Sequence, residues 1–552
     1  MTKRQTKAPP RQIQAKASFD GSCGTDEFSY TPLADNEIRL LRFLASLPEG
    51  TLSFGLTTAT LPAKTARKGE QNAPVAYLAV SHFWNPNSDE TPNPNSVNPL
   101  EHPDQIILID EQPRRIPYSL YTTLTDLLPD LISTSLPFWL ESLCVNHASL
   151  AEFRGPARGK TAAQVFRYAE RIIVYLGPGS NNQTWKKRAV LRMERAVNQM
   201  ARISQGLVAA GLNEEDLFNY EPSESAPAGL KRGIKLFLEM EIEDERGRCL
   251  PWPKRPGLDL DAASDVLRLP WFAWTWAVPA LCALDPTPAG RIYAGDAVEY
   301  GMKIDGPRIV FAFGKARIEW SALWSAVAFI MVWLQLEAKK LADRCLDHLG
   351  NIVKSNAKFY RHTRIVSAPR GFADRPMLTL DLRNKRIQGK LDFTLKGLLT
   401  FLYIKHLKHP SIPLSSPDPM DRIWALRGLA EDGHVLDGLA GLNPRYALAR
   451  LAKYLYQQGH IDLLSLCRMR DPTLPSWVPD WRQLQRLPWL GLKTAFTVLG
   501  PPGGFSAGGL RSGTTDPSPS VIVEDESDDD TLCILGWVVD IVDKIGDSGS
   551  SA

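Results

Sequence analysis

Residues 138–177 read FWLESLCVNHASLAEFRGPARGKTAAQVFRYAERIIVYLG. Two short apolar runs bracket the stretch: FWLESLCVNH (138–147), which stops at Asn146 and His147, and RIIVYLG (171–177), which stops at Gly177 ahead of Pro178 and Gly179. Runs of this kind, separated by a spacer long enough for a helix, read as neighbouring parallel strands joined by a right-handed crossover. The stretch predicts an α/β domain.

A third run, YLAVS (77–81), ends at Ser81, His82, Phe83, Trp84 and Asn85. In an open parallel sheet the ligand crevice lies beyond the carboxyl ends of the strands, where helix N-termini present free N–H groups. If the three strands run the same way, Ser81, Trp84, Glu141, Asn146, His147 and Gly177 crowd one edge. That edge is the predicted ligand crevice.

Working outward, 552 residues are too many for one core, because single cores stop growing at roughly 250 to 300 residues. An apolar content of 44% with 23% charged residues is that of a globular chain. A net charge of +3 gives no reason to expect a nucleic-acid or membrane surface. Cys23, Cys144, Cys249, Cys282, Cys345, Cys467 and Cys533 are odd in number and form no CxxC pair, a pattern of reduced thiols in a cytoplasmic protein. Residues 1–16 are basic but lack an apolar core, so they are not a secretory signal, and residues 1–26 read as a disordered tail. Residues 320–336, WSALWSAVAFIMVWLQL, are uncharged but stand between Glu319 and Glu337 and only just reach spanning length. They read as a buried helix, with no membrane span.

Along the chain, residues 27–210 form the α/β domain, interrupted by an exposed Asn-, Pro- and Ser-rich insertion at 86–104. EIRLLRFL (37–44) reads as helix or strand, and residues 105–117 as a hairpin turning at Glu111, Gln112 and Pro113. Leu120, Leu124, Leu127, Leu128 and Leu131 lie at helical spacing, with Pro129 expected to kink or stop that helix a turn early. Residues 185–207 are amphipathic, and the aromatic cluster LPWFAWTW (269–276) marks a core or a domain junction. A mainly helical region is expected over 211–460. A small β-rich portion is expected over 461–552, including LPSWVPDW (474–481), an acidic loop (524–530) and LCILGWVVDIV (532–542).

These residues resemble the fungal heterokaryon-incompatibility (HET) domain proteins. The family's Y-x-x-L-S-Y-x-W-G block is similar to YLAVSHFWN (77–85), its W-I-D-A-I-C-I-N-Q block to WLESLCVNH (139–147), and its A-x-x-V-x-V-W-L-G block to AERIIVYLG (169–177). Further along, Pro270-Trp271-Phe272 with a following Trp, DRIWALRGL (421–429) and LPSWVPDW (474–481) resemble later family blocks in the family's order, so the resemblance spans roughly 28–545. It implies a TIR-like doubly wound sheet and a role in fungal non-self recognition that ends in programmed cell death. Some TIR domains cleave NAD with a crevice glutamate, so the resemblance also implies Glu141 as a candidate acid and NAD as a candidate substrate, with no cofactor required. Asn85, Glu141 and His147 depart from the family's Gly, Asp and Gln. A Gln-Val pair aligns near Arg158-Gly159, and Trp274 and Pro279-Ala280 replace the family's Arg and Gln-Glu. These departures point away from catalysis.

On chemistry alone, Glu141 lies beside Phe138, Leu140 and Leu143. If buried, its carboxyl would have a raised pKa and could stabilise positive charge developing on a ribose; the alternative is a structural carboxylate with an Arg or backbone partner. Cys144 and His147 lack a third, orienting group and read as a buried thiol and its neighbour. With His82 they match no zinc spacing, so no metal site is expected. GPPGGFSAGG (500–509) lacks the Lys-Ser/Thr of a phosphate cradle. Two functions remain: a death-promoting module acting through self-association or a protein partner, and an NAD glycohydrolase using Glu141. Burial of Glu141 at a crevice floor would favour the enzyme; a salt bridge or exposure would favour the module.

Overall fold

The computed structural model describes residues 28–34, 36–46, 50–61, 75–83, 104–147, 149, 152, 155–177, 187–209, 212, 241–243, 249–251, 259–282, 308–347, 374–387, 391–405, 414–416, 418–467, 473–483 and 485–486. In chain order the strands are β1 (Glu37–Ser46), β2 (Leu52–Thr60), β3 (Leu78–His82), β4 (Gln105–Ile109), β5 (Gln112–Ile116), β6 (Phe138–Leu140) and β7 (Arg171–Gly177). A separate ribbon of β8 (Glu241–Glu243) and β9 (Cys249–Pro251) precedes β10 (Arg308–Phe313) and β11 (Ala316–Glu319). Among the described residues β1–β7, β10 and β11 form one mixed nine-stranded sheet, ordered β11-β10-β7-β3-β6-β1-β2-β4-β5. The fold is α/β.

The centre of this sheet is parallel: β6 pairs with β3, β3 with β7, and β7 with β10. The three predicted strands do run the same way. The strands at 138 and 171, however, are not neighbours, because β3 lies between them. All five residues of β3 are buried, and a strand covered on both faces belongs inside a parallel sheet. β1 runs antiparallel to β6, and β5 forms one edge, carrying Pro113 where a missing N–H costs the sheet nothing. The hairpin turns at Asp110 (φ 48°) and Glu111 (φ 66°), earlier than predicted, because a two-residue turn with both residues at positive φ matches the twist of the strands.

The predicted strand over 138–147 is a second correction. Only Phe138–Leu140 is extended, and the chain then winds into the single turn α2 (Glu141–Cys144), which follows α1 (Tyr118–Thr134) in the chain. The turn is stable because each of its orphan carbonyls finds a donor. Glu141 O accepts the Val145 N–H at 3.1 Å, Ser142 O accepts Arg114 Nη2 at 3.4 Å, Leu143 O the Tyr30 hydroxyl at 2.9 Å, and Cys144 O accepts Arg39 Nη1 at 3.1 Å.

Helix α1 buries Leu120, Leu124, Leu127 and Leu131 and continues past Pro129 to Thr134, where a stop or kink was expected. Arg317 of β11 braces the helix on either side of the proline, donating to Asp126 O at 3.2 Å and to the Asp130 carboxylate at 2.6 Å. Helix α3 (Gly155–Tyr168) lies against β3 and β6, with the Tyr77 hydroxyl on Val165 O at 2.6 Å and Phe166 edge-on to Trp139. Later helices are α4 (Lys187–Ala209), α5 (Leu260–Leu267), α6 (Ala277–Cys282), α7 (Trp320–Asp347), α8 (Asp374–Ile387), α9 (Leu395–Tyr403), α10 (Asp421–Trp424) and α11 (Pro444–Gln457). The expected helical character of 211–460 is thus interrupted by the ribbon of β8 and β9 and by the sheet strands β10 and β11.

The apolar run at 320–336 opens α7, where Trp324, Val327, Phe329 and Ile330 are buried. Among the described residues no helix is long and apolar enough to cross a membrane. The aromatic cluster is core: Trp271 and Phe272 pack on Phe311 of β10. The predicted tail, the insertion apart from residue 104, the glycine-rich stretch, the acidic loop and the last predicted strand lie outside the described residues.

Candidate functional site

Glu141 is the first residue of α2, placed where β6 ends at the carboxyl edge of the parallel strands. Its Oε1 accepts a hydrogen bond from Arg158 Nε of α3 at 2.6 Å. The Arg158 guanidinium lies 3.8 Å from the centre of the Trp276 ring, and its Nη1 is 3.7 Å from Asp421 Oδ2 at the start of α10. That same Oδ2 accepts from Trp276 Nε1 at 3.0 Å and from the Ser416 hydroxyl at 2.5 Å. One arginine is therefore shared between two carboxyl groups and an aromatic face.

Burial pushes the Glu141 carboxyl up, but the charge and hydrogen bond of Arg158, with help from His147 and His82, hold it below its ordinary value. Glu141 is thus an ionised acceptor, not a proton donor. Asp421 goes the other way: burial raises its carboxyl, and Arg158, Ser416 and Trp276 offset this only in part. Burial pushes the His82 imidazole down to about 4 against the pull of Glu141, so it is neutral at physiological pH. Its buried Nε2 has no hydrogen-bond partner among the described residues.

Ser81, His82 and Glu141 line a small cavity walled by Trp139, Phe166, Trp274 and Trp276. Its volume is about 10 Å³, room for a single water molecule. The Ser81 hydroxyl is engaged, accepting from Trp271 Nε1 at 3.0 Å. Asn146 and His147 lie on the turn after α2. The Asn146 N–H donates to Glu152 Oε2 at 3.1 Å, and His147 Nε2 is 3.2 Å from Glu141 O. Gly177 is at the end of β7 (φ 151°), beside Phe313 of β10 and apart from the cavity. Trp84 lies outside the described residues. The predicted crevice residues thus fall into a cavity pair (Ser81, Glu141), a flanking turn (Asn146, His147) and an outlier (Gly177).

Cys144 is buried and its thiol is pushed up to about 12, so it is a poor nucleophile. Sequence reading missed Arg158, Trp276, Asp421 and Arg39. Arg158 stood out only as a departure from a family motif, and Asp421 only as the first residue of a distant block. The Arg39 side chain is wholly buried; it bonds Glu152 at 2.8 Å and Thr31 O at 2.6 Å as well as Cys144 O, and so anchors the turn that carries Glu141.

No curated protein and no solved structure matches the chain. Residues 77–278 match the family model described as heterokaryon incompatibility protein (HET). That span holds β3, α2, α3, β7 and Trp276, the elements from which most of the site is built. Over these residues the chain carries a heterokaryon incompatibility (HET) domain.

Proposed function

We propose that the chain acts in fungal non-self recognition that ends in programmed cell death, and that its HET domain works through self-association or a protein partner. One observation carries this reading. Glu141 is tied to Arg158 beneath Trp276 and Asp421, above a cavity of about 10 Å³, so in this conformation no nucleotide reaches it. On this reading the protein is cytoplasmic, needs no cofactor and binds no nucleic acid. The TIR-like character of the fold is supported by four parallel strands with the polar cluster at their carboxyl ends.

The test is viability of fungal cells on induced expression, together with NAD turnover by purified protein over a range of concentrations. Wild type and Glu141→Gln are both expected to kill and to leave NAD intact. NAD consumption that disappears in Glu141→Gln would overturn the reading in favour of a glycohydrolase. That second reading has its own support, an ionised carboxylate beside a neutral histidine and aromatic walls at a parallel strand end.

A further inference from the structure

Arg158 is held in the way a ligand would be. Its flat guanidinium stacks 3.8 Å from the centre of the Trp276 ring, donates edge-on to Glu141 at 2.6 Å, and faces Asp421 at 3.7 Å. An aromatic face below and a carboxylate in the plane are the elements with which proteins bind flat cations. Two carboxyl groups here face one guanidinium. The Arg158, Glu141 and Asp421 side chains are only 11%, 14% and 12% exposed, so the group is largely covered, with a thin edge toward solvent. Nearby is the aromatic-walled cavity lined by His82, a residue 6% exposed whose Nε2 has no partner among the described residues.

We propose that Glu141, Trp276 and Asp421 form a binding site for a flat organic cation, and that Arg158 is a built-in plug occupying it in this structure. The inference rests on the strand-end crevice being a ligand site, and it does not require turnover. Glu141 and Trp276 touch Arg158 and also line the cavity with His82, so withdrawing Arg158 would leave its vacated space against that cavity. A neutral flat molecule gains the ring contact but not the carboxylates, so the site discriminates by charge.

The test removes the plug. Arg158→Ala, titrated with methylguanidinium and with N-methylpyridinium and followed by tryptophan fluorescence and thermal shift, is expected to bind each cation about tenfold tighter than wild type does. Uncharged pyridine should bind about tenfold more weakly than N-methylpyridinium, and adding Glu141→Gln should reduce that preference, an unchanged preference overturning the role of Glu141 in the site. Equal binding by wild type and Arg158→Ala, or of cation and neutral ring, overturns the proposal. Should Arg158→Ala fail to fold, refolding in millimolar methylguanidinium gives the second readout: the site requires recovery with methylguanidinium and none with urea, and any other pattern overturns it. Cation binding without NAD turnover keeps this site while removing the catalytic reading; turnover without cation binding does the reverse.

Discussion

At the end of β3, His82 keeps its imidazole neutral down to about pH 4, because burial outweighs the attraction of Glu141 and His147 adds repulsion. In the unfolded chain the same group titrates near 6.5. The folded value is the lower one, so between the two values the unfolded chain binds more protons. Stability is therefore intact above about pH 6.5 and drains away as the pH falls toward 4, by about 3 kcal/mol from this residue. His147, lowered first of all by burial, acts in the same direction. Glu141, held below its ordinary carboxyl value, withdraws its contribution only at more acid pH still. Urea unfolding of wild type at pH 7, 5.5 and 4 should show this loss, and His82→Gln should remove most of it. Parallel curves for the two proteins would mean that the acid sensitivity lies elsewhere.

Helix α3 brings Arg158 to Glu141, and its position is fixed by two glycines. A Cβ on Gly159 would overlap the Trp424 carbonyl of α10, and one on Gly428 would overlap the Ala163 Cβ of α3. Neither obstacle is a flexible side-chain end, so Gly159→Ala should cost about 2–3 kcal/mol in denaturant unfolding. Gly438→Ala, with nothing within 4 Å of the new carbon, should fall within about 0.5 kcal/mol of wild type. A Gly159→Ala protein as stable as wild type would show that α3 and α10 can part freely. The elements were legible to the sequence in proportion to how plainly their burial repeats. RIIVYLG is apolar through its middle and became β7 with the bounds it was read with. FWLESLC was read as all strand because Ser142, Leu143 and Cys144 are as buried in the helical turn as they would be in a sheet, and an apolar run does not say which. The proline in α1 reads locally as a stop, whereas the helix runs on through it, and the Arg317 that braces Asp126 and Asp130 around it comes from far along the chain. The site follows the same rule. Ser81 and Glu141 were legible as strand-end residues, whereas the partners that close over Glu141 come from α3, the turn before α6 and the start of α10, and no local pattern joins them.

The whole molecule completes the α/β domain from well beyond residue 210, where the sequence placed its end. β10 and β11 extend the sheet past β7, Trp271 takes the Ser81 hydroxyl, and Trp276 and Asp421 cover Arg158. A chain of residues 28–210 would leave β7 as an unpaired edge, with the faces now covered by Trp271, Phe272 and Phe311 open to water. Each of those three rings, fully buried, contributes about 1.5–3 kcal/mol, and together they approach the roughly 5–15 kcal/mol that holds a whole domain folded. The 28–210 piece should therefore show no cooperative thermal transition and should bind a hydrophobic dye, while a 28–486 piece should melt in a sharp transition. If the short piece melts cooperatively, the parallel core is self-sufficient and the downstream residues are a cover laid over it. If it does not, the residues that close over Glu141 belong to the same folding unit as the sheet, and no opening of the crevice can dispense with them altogether: it must move Arg158, Trp276 or Asp421 within a chain that stays folded.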